Sequence, residues 1–520
     1  MSYFTKISTL IHTIKYLKPI QVYGRGLLYV RKLFPIKPNW YPILGLSSNS
    51  LVFESSIPFT VSKNENGFEF LNLKKDFGYT IDWNYLEFGR LWTYNLNYFE
   101  YLDQIEVKVE EGKRLIDDFI TQLPSNKIGL EPYPISLRCI NWIRFFIRHN
   151  IENPIYDSIL FRQLELLDHN IEYHILGNHL MENGFAMLFG AYYFNDLKFY
   201  SKAKKILIPE LQEQILPDGA HFELSPMYHS TMLFRMLDCY NLISNNDLFN
   251  KELKEIVSLK IEKMLGWLNL ISFKNGNIPL LNDASFGVAP TVNQLNLYSK
   301  QLGFDSKHIV VLKESGYRKF ETNKFELIAD IGSIGPDYQP GHAHADTFNF
   351  ELYVNGRPVI VDTGTSTYEV NETRFLERST AAHNTVVVDN KNSSEVWAGH
   401  RVAGRAKVTI KEDTKDLISA SHDGYMKIGI THNRSFEVLK DEIVIRDVIN
   451  TSGTAYLHFF PDELFEISGN KICGKDYIIE LTENDDFALF DSHYAPEFNR
   501  RIKSQSICIH FQDRLTIHIK

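Results

Sequence analysis

The hydrophobic period of the chain changes once, and this change constrains the fold more than any other feature of the sequence. From about residue 112 to 275, apolar residues recur at the spacing of amphipathic helices, whereas after residue 320 they alternate in short segments. The first pattern predicts seven successive helices, near residues 112–123, 135–149, 157–175, 179–194, 197–215, 227–244 and 252–272. Helices that follow one another with no strand between them form a bundle, a solenoid or a toroid.

The second pattern predicts strands, the clearer ones at residues 325–331, 347–354, 385–388, 406–410, 417–421, 443–448 and 455–460. Many short strands separated by turn signals predict an antiparallel sandwich. Because 520 residues exceed one compact core, we expect a multidomain α+β protein. Its expected parts are a basic arm with an aromatic-rich lead-in (residues 1–105), a helical domain (106–310) and a β-sandwich domain (311–520).

A polar cluster precedes the clearest hairpin of the predicted sandwich. His342, His344 and Asp346 alternate with two alanines, so in extended backbone the three polar side chains share one face. An alternating apolar strand follows, and Asn355-Gly356 then predicts a tight hairpin turn. A polar face beside a strand pattern indicates a functional site.

Three side chains of this region suit a metal ion. His344 lies before the hairpin, Asp362 ends its returning strand, and His383 opens the next apolar run. Two imidazoles and a carboxylate at strand ends favour a divalent ion, with zinc the first choice. For each histidine taken singly, an ordinary surface or hydrogen-bonded role is the alternative.

The helical half contains two polar interruptions that indicate a site. Asn178-His179 lies at a break between two apolar helices, although an asparagine there is also an ordinary helix N-cap. The second interruption is a loop leading into a helix, with Glu223, Tyr228 and His229 gathered on it. Such a loop is typical of an active site, and a polar capping loop is the alternative.

The first residues of the chain carry charge of one sign. Seven lysines and arginines occupy the first 40 residues and no acid precedes Glu54, although the whole chain has a net charge of −9. This arm predicts contact with an anionic membrane surface or a polyanionic glycan, and a solvated lead-in helix is the alternative. The sequence shows no secretory signal pattern and no long apolar run. Four scattered cysteines predict free thiols, so the expected location is the cytoplasm, with peripheral contact at the inner membrane.

Several separated motifs resemble the heparinase II/III-like superfamily of polysaccharide lyases, which also includes oligoalginate lyases. The matching segments are Gly-His-Ala-His-Ala-Asp (341–346), Val-Asp-Thr-Gly (361–364), Arg-Ser-Thr-Ala-Ala-His-Asn (378–384), Asn178-His179 and the loop at 223–229. The resemblance implies an incomplete α/α toroid of helical hairpins followed by an antiparallel β-sandwich, with the active site in the cleft between them. It also implies cleavage of a uronic-acid polymer by β-elimination, in which the C5 proton is removed and the C4–O bond breaks.

The resemblance implies a role for each matching residue. A zinc ion would be held by His344, Asp362 and His383. Asn178 and His179 would meet the substrate carboxylate, while Tyr228 and His342 would transfer protons. The full expected catalytic set is Asn178, His179, Tyr228, His342 and Tyr368. The expected substrate-binding residues are Glu223, His229, Arg374 and Arg378, with a structural role as the alternative for the arginines.

Two other functions stay open at this point. The same scaffold suits a glycan-binding or glycan-modifying protein of a capsule or O-antigen biosynthesis system. A metal-dependent glycoside hydrolase would use a carboxylate pair such as Glu223 and Asp283. The expected partner is an acidic polysaccharide or oligosaccharide, with no nucleic acid, and a homodimer stays open.

Overall fold

The computed structural model of the protein describes residues 3–34, 38–43, 45–46, 48–65, 67–78, 80–305 and 310–520. Lys37, part of the predicted basic arm, lies outside them. The α-helices in the described ranges are α1 (Tyr3–Ile14), α2 (Pro19–Leu33), α3 (Gly89–Tyr98), α4 (Val109–Gln122), α5 (Pro132–His149), α6 (Pro154–His169), α7 (Gly177–Phe194), α8 (Leu197–Gln214), α9 (Pro226–Asn245), α10 (Glu252–Ile271), α11 (Val292–Gln301) and α12 (Glu372–Glu377).

The helical half confirms the seven helices predicted from periodicity, which are α4 to α10. Local capping explains several of their starts, because Asn153, Asp196 and Ser225 each accept backbone N–H groups at the first turn of α6, α8 and α9. Successive helices pack as hairpins, with α7 against α8 and α9 against α10. Among the described residues, no helix combines the length and apolar content needed to cross a bilayer.

The aromatic-rich lead-in belongs to the core of the helical half. Trp83 and Trp92 are fully buried, and the Trp83 ring stacks on Phe99 at 5.1 Å between centroids. The Phe99 ring in turn meets Trp142 of α5 edge-on. Most of these rings are therefore packing groups and are not exposed for stacking on sugars.

The strands of the described ranges are β1 (Gly67–Phe70), β2 (Leu73–Asp76), β3 (Tyr317–Glu321), β4 (Phe325–Asp330), β5 (Phe350–Val354), β6 (Arg357–Ile360), β7 (Val386–Val387), β8 (Val396–Trp397), β9 (Arg401–Val402), β10 (Val408–Asp413), β11 (Leu417–His422), β12 (His432–Val438), β13 (Ile443–His458), β14 (Phe465–Ser468), β15 (Lys471–Gly474), β16 (Ile478–Thr482), β17 (Asp486–Glu497) and β18 (Arg500–Ile519). A four-stranded sheet, β3-β4-β5-β6, shares one apolar core with a ten-stranded antiparallel sheet centred on β13 and β18. Together they form the predicted sandwich.

Two details of the sandwich bear on the prediction. The hairpin turn at Asn355-Gly356 is confirmed, since both residues have positive φ and join β5 to β6. The strands predicted at 443–448 and 455–460 are one strand, β13, whose register against β18 shifts between Val448 and Ser452. Gly453 therefore lies within one continuous strand, next to its bulge.

A loop of the helical half reaches into the sandwich. We call residues 276–291, between α10 and α11, the joint loop. Its Asp283 backbone N–H donates to the His342 carbonyl at 3.0 Å, and its Ser285 hydroxyl donates to the Thr365 carbonyl at 2.8 Å. The Ser225 hydroxyl, at the start of α9, donates to the Asp283 carbonyl at 2.6 Å. The joint loop thereby fixes the helical half against the sandwich beside the polar cluster.

Candidate active site

A cleft of about 1360 Å³ lies between the two halves. Its wall includes all five residues expected to be catalytic, Asn178, His179, Tyr228, His342 and Tyr368. Three of them come from the helical half and two from the sandwich half. The fold thus brings together side chains that lie up to 190 positions apart in the sequence.

Tyr228 is at the centre of this group. It lies in the first turn of α9, where Ser225 caps the helix and accepts the Tyr228 N–H at 3.3 Å. Its hydroxyl lies 3.2 Å from that of Tyr368, and its ring stacks on the His342 imidazole at 3.9 Å between centroids. Burial raises the pKa of Tyr228, and the hydrogen bond from Tyr368 offsets this only in part. Tyr228 therefore keeps its proton in the resting cleft and is suited to donate it.

His342 is oriented by a carboxylate of the joint loop. Its Nδ1 lies 3.0 Å from Oδ2 of Asp283, and Arg374 holds both oxygens of that carboxylate at 2.5 and 2.7 Å. Burial opposes ionisation of Asp283, but Arg374 and the hydrogen bonds from His342 and His344 outweigh it and hold its pKa well below the ordinary value. Since an ionised carboxylate only accepts, Nδ1 of His342 donates to Asp283, and Nε2 lies 3.5 Å from an oxygen of Glu223.

Asn178 is held by Glu223. The two oxygens of this carboxylate accept the backbone N–H and the side-chain amide of Asn178, each at 3.0 Å. The chain turns sharply just before, with positive φ at Leu176 and Gly177. A side chain at Gly177 would put its Cβ 2.6 Å from a Glu223 oxygen, so this approach requires glycine.

His179 is paired with a second buried carboxylate. Its Nδ1 lies 3.1 Å from Glu172, and its ring packs on Tyr133 at 4.5 Å between centroids. Burial favours the neutral imidazole, but the Glu172 carboxylate outweighs it and raises the pKa of His179. With a side chain 35% exposed to the cleft, His179 can present positive charge to an anionic group.

The expected substrate-binding residues have other roles in the structure. Glu223, His229, Arg374 and Arg378 are all buried behind the cleft wall. The two nitrogens of His229 pair with the Met264 carbonyl and the His221 N–H, and burial lowers its pKa to about 3. Arg378 donates to the carbonyls of Ala343 and Gly399. The expectation of direct substrate contact is therefore corrected for all four, because each spends its polar atoms on protein groups.

One group of His and Asp side chains in the described ranges converges to within 4.8 Å, namely Asp283, His342 and His400. It is a candidate metal-binding group by spacing. However, Arg374 occupies both oxygens of Asp283, so a cation there would face a guanidinium charge directly. The electrostatics of this group favour proton transfer over metal binding.

The predicted zinc ligands lie behind this group. His344 and His383 are fully buried with ring centroids 5.3 Å apart, and neither Nδ1 of His344 nor Nε2 of His383 has a hydrogen-bond partner. Asp362 lies beside them and pairs with Nδ1 of His383 at 2.7 Å. Buried imidazole nitrogens seldom go without a partner, so these two nitrogens are available to a divalent ion. Among the described residues, however, His344, Asp362 and His383 are not a set that converges to within 4.8 Å, and both oxygens of Asp362 already accept hydrogen bonds. The identity of that ion stays a prediction.

Sequence reasoning missed three residues of the cleft region. His400 lies on the wall with its ring 5.0 Å from Tyr368, and burial lowers its pKa to about 4. Tyr133 and Glu172, which support His179, lie among apolar helix residues and at a helix break. The only signal for His400 was a glycine before it, which is too weak to select it.

The fold and the cleft match the class that the motifs imply, a helical toroid joined to an antiparallel sandwich with polar side chains of both halves between them. Residues 141–305 match the heparinase II/III N-terminus family and residues 305–520 match the heparinase II/III-like C-terminal family. The chain therefore belongs to the heparinase II/III-like family.

The chain is similar to curated proteins over part of their length. It is 26% identical over 319 residues to a heparin-sulfate lyase of Bacteroides stercoris, covering 55% of this chain and 46% of that protein. It is also 25% identical over 258 residues to FtsZ-localized protein C of Caulobacter vibrioides, covering 46% of this chain and 43% of that protein. The chain thus spans about half the length of these relatives.

Solved structures extend the likeness in fold to most of the chain. A crystal structure of heparinase III covers 84% of this chain and 79% of its own, with a TM-score of 0.63 at 17% identity. Chondroitinase AC lyase, solved with oligosaccharides, covers 85% of this chain and 77% of its own, with a TM-score of 0.55 at 10% identity. At these identities the likeness establishes the toroid-and-sandwich fold.

Proposed function

We propose that this protein is a polysaccharide lyase that cleaves a uronic-acid-containing glycan by β-elimination. The observation that carries the proposal is the stacking of His342 on Tyr228, each from a different half, in the cleft that also exposes His179. A base and an acid in contact, beside a group that carries positive charge, are what this elimination requires. The similarity to a heparin-sulfate lyase and to chondroitinase AC lyase supports the same reaction class.

The first requirement is neutralisation of the uronate carboxylate. The C5 proton is weakly acidic, and negative charge on the neighbouring carboxylate makes its removal harder. His179, whose pKa Glu172 raises, supplies the positive charge. The amide of Asn178, fixed by Glu223, supplies a preorganised donor for the enolate-like charge that develops.

The second requirement is a base and an acid. Nε2 of His342 accepts the C5 proton, because Asp283 holds the other proton of the ring on Nδ1. The C5 electron pair forms the C4–C5 double bond, the C4–O4 bond breaks, and O4 takes the proton of the Tyr228 hydroxyl. After the product leaves, the imidazolium of His342 loses its proton to solvent and the Tyr228 phenolate regains one, which restores the starting state.

A divalent ion, zinc by donor type, is part of the proposal. His344, Asp362 and His383 would hold it, and it would supply rigidity to the segment that carries His342. The elimination itself needs no activated water, and both of its proton transfers, from C5 and to O4, are made by side chains.

The second candidate function is a glycan-binding or glycan-modifying protein on the same scaffold, in a surface-polysaccharide biosynthesis system. The observation that favours it is the similarity to FtsZ-localized protein C, whose name states no lyase activity. The hydrolase alternative loses support, because Asp283 is saturated by Arg374, His342 and His344, and Glu223 is committed to Asn178.

The test is ultraviolet absorbance of the conjugated unsaturated uronate during incubation with heparan sulfate, chondroitin, hyaluronan, alginate and bacterial capsular glycans. A lyase gives a rise on at least one substrate that Tyr228→Phe abolishes. New reducing ends without absorbance would indicate hydrolysis, and binding without either product would indicate the second candidate.

A further inference from the structure

We infer that α1 and α2 form a docking surface for an anionic lipid membrane. This surface, which we call the arm face, consists of the outward side chains of residues 9–34. The inference does not depend on the proposed lyase activity. It is carried by how the arm is attached, which side chains it turns outward, and what charge it bears.

The arm is seated firmly on both halves of the protein. The side-chain amide of Gln21 donates to the carbonyls of Ile175 and Tyr338 at 3.1 and 3.4 Å. Gly24 packs so closely on His174 that an added Cβ would lie 2.8 Å from its backbone nitrogen. In α1, the Thr13 hydroxyl accepts the indole N–H of Trp397 at 3.2 Å. The helices therefore have a defined inner side and a defined outer side.

The outer side of α2 is apolar. Val22, Tyr29, Val30 and Leu33 are 56, 67, 50 and 60% exposed, while Gln21 points inward. Positions 22, 29 and 33 repeat at helical spacing, so they form one stripe. Helix α1 also exposes large apolar residues, namely Leu10, Ile11 and Ile14. A surface helix normally buries its apolar stripe, so an outward stripe indicates a partner that covers it.

The charge of the arm selects among partners. No acid precedes Glu54, and among the described cations of the arm Lys15 and Arg25 are exposed, whereas Lys18 pairs with Glu213 and Arg31 and Lys32 line the cleft. A second copy of this chain would cover the stripe but would oppose like charges. A polyanionic glycan would match the charge but not the stripe. An anionic lipid surface matches both, because apolar side chains enter the acyl boundary while lysines and arginines meet headgroups.

The experiment is sedimentation of the full chain with vesicles of phosphatidylcholine alone and of phosphatidylcholine with phosphatidylglycerol. We expect binding to the anionic vesicles only, weakened by salt. Val22→Asp with Leu33→Asp should reduce it at least tenfold, as should Lys15→Glu with Arg25→Glu. Leu464→Asp, at a side chain 85% exposed in the sandwich, is the matched control and should bind as the parent does.

Three results would overturn the inference. Absence of binding to anionic vesicles would do so, as would binding that survives the paired Val22 and Leu33 substitutions. A parent dimer that these two substitutions convert to a monomer, with no vesicle binding, would assign the stripe to a second copy. Circular dichroism of each variant establishes that the fold is kept.

Discussion

Two buried aspartates, Asp283 on the joint loop and Asp447 in the sandwich, have nearly the same kinds of neighbours but different surroundings beyond them. Asp283 is held by Arg374 and contacts His342, while Asp447 is held by Arg434 at 2.7 Å through each oxygen. Asp447 also contacts His432 at 2.6 Å, and that ring contacts His422 at 3.0 Å. Both clusters are therefore arginine–carboxylate–histidine arrays of similar geometry.

The difference is where each array ends. The first ends at His342, which lies on the cleft wall against Tyr228. The second ends at His422, whose Nδ1 accepts the Gly424 N–H inside the sandwich. The Arg434 guanidinium also donates to the Phe348 and Asn384 carbonyls, so this array holds backbone segments in place. A carboxylate-backed histidine can act on a ligand only where it faces a cleft, as His342 does and His422 does not.

The largest loss of activity should come from substitution of His342, at the cleft end of the Asp283 array, or of its neighbour Tyr228. His342→Ala and Tyr228→Phe should each lower kcat by about 10²–10⁴-fold, because each removes a proton-transfer group. Steady-state formation of the unsaturated uronate measures this, and thermal unfolding should show the fold retained. Parent-like kcat in both variants would contradict the mechanism.

Substitution in the Asp447 array, inside the sandwich, should lower the free energy of unfolding without changing kcat. Asp447→Asn removes the charge that compensates Arg434 and should cost about 3–5 kcal/mol of unfolding free energy. Urea denaturation measures the loss. The protein that remains folded should keep the parent kcat, and a kcat loss matching that of His342→Ala would show that the two arrays are coupled.

His344 lies one contact further from the cleft than His342, on the other side of Asp283. His344→Ala removes a predicted metal ligand together with a hydrogen bond to Asp283, and should cost about 1–3 kcal/mol of stability. Mass spectrometry of the native protein should show one divalent ion in the parent and none in the variant. Equal metal content in the two would refute the predicted ligand set.

The smallest effect should be a shift of the pH profile. The rate requires His179 in its charged form, so kcat/KM should fall as pH rises through the pKa of His179, which Glu172 raises. Glu172→Gln removes that carboxylate and should move this fall to lower pH. Comparison of the two pH profiles tests the assignment, since an unmoved alkaline limb would exclude His179 as the titrating group.

The sequence predicted those parts of the molecule whose pattern is local. Helices α4 to α10 are long and strictly periodic, and the β5–β6 hairpin has a diagnostic turn, so both were found. Strand β18 was missed because many charged and polar side chains interrupt the apolar alternation of its twenty residues. Its pairing with β13 is evident only in the fold.

In the candidate site, too, the sequence predicted the residues with a local signal and missed the contacts made only in the fold. Tyr228 and His342 stand out as chemical groups in polar loops, and the structure places both on the cleft. Arg374 looks like an anion-binding residue in the sequence, but its partner Asp283 comes from 91 positions away on the joint loop. A contact made by tertiary approach leaves no periodic signal, so sequence reasoning cannot tell a substrate-facing arginine from one already paired.

The joint loop has a mechanical consequence. Hydrogen bonds from Asp283 and Ser285 tie the two halves together at the place where His342 acquires its orientation. Separation of the two halves would pull His342 away from the Asp283 carboxylate that orients it. The proposed base therefore keeps its geometry only while the joint loop stays in contact with the sandwich.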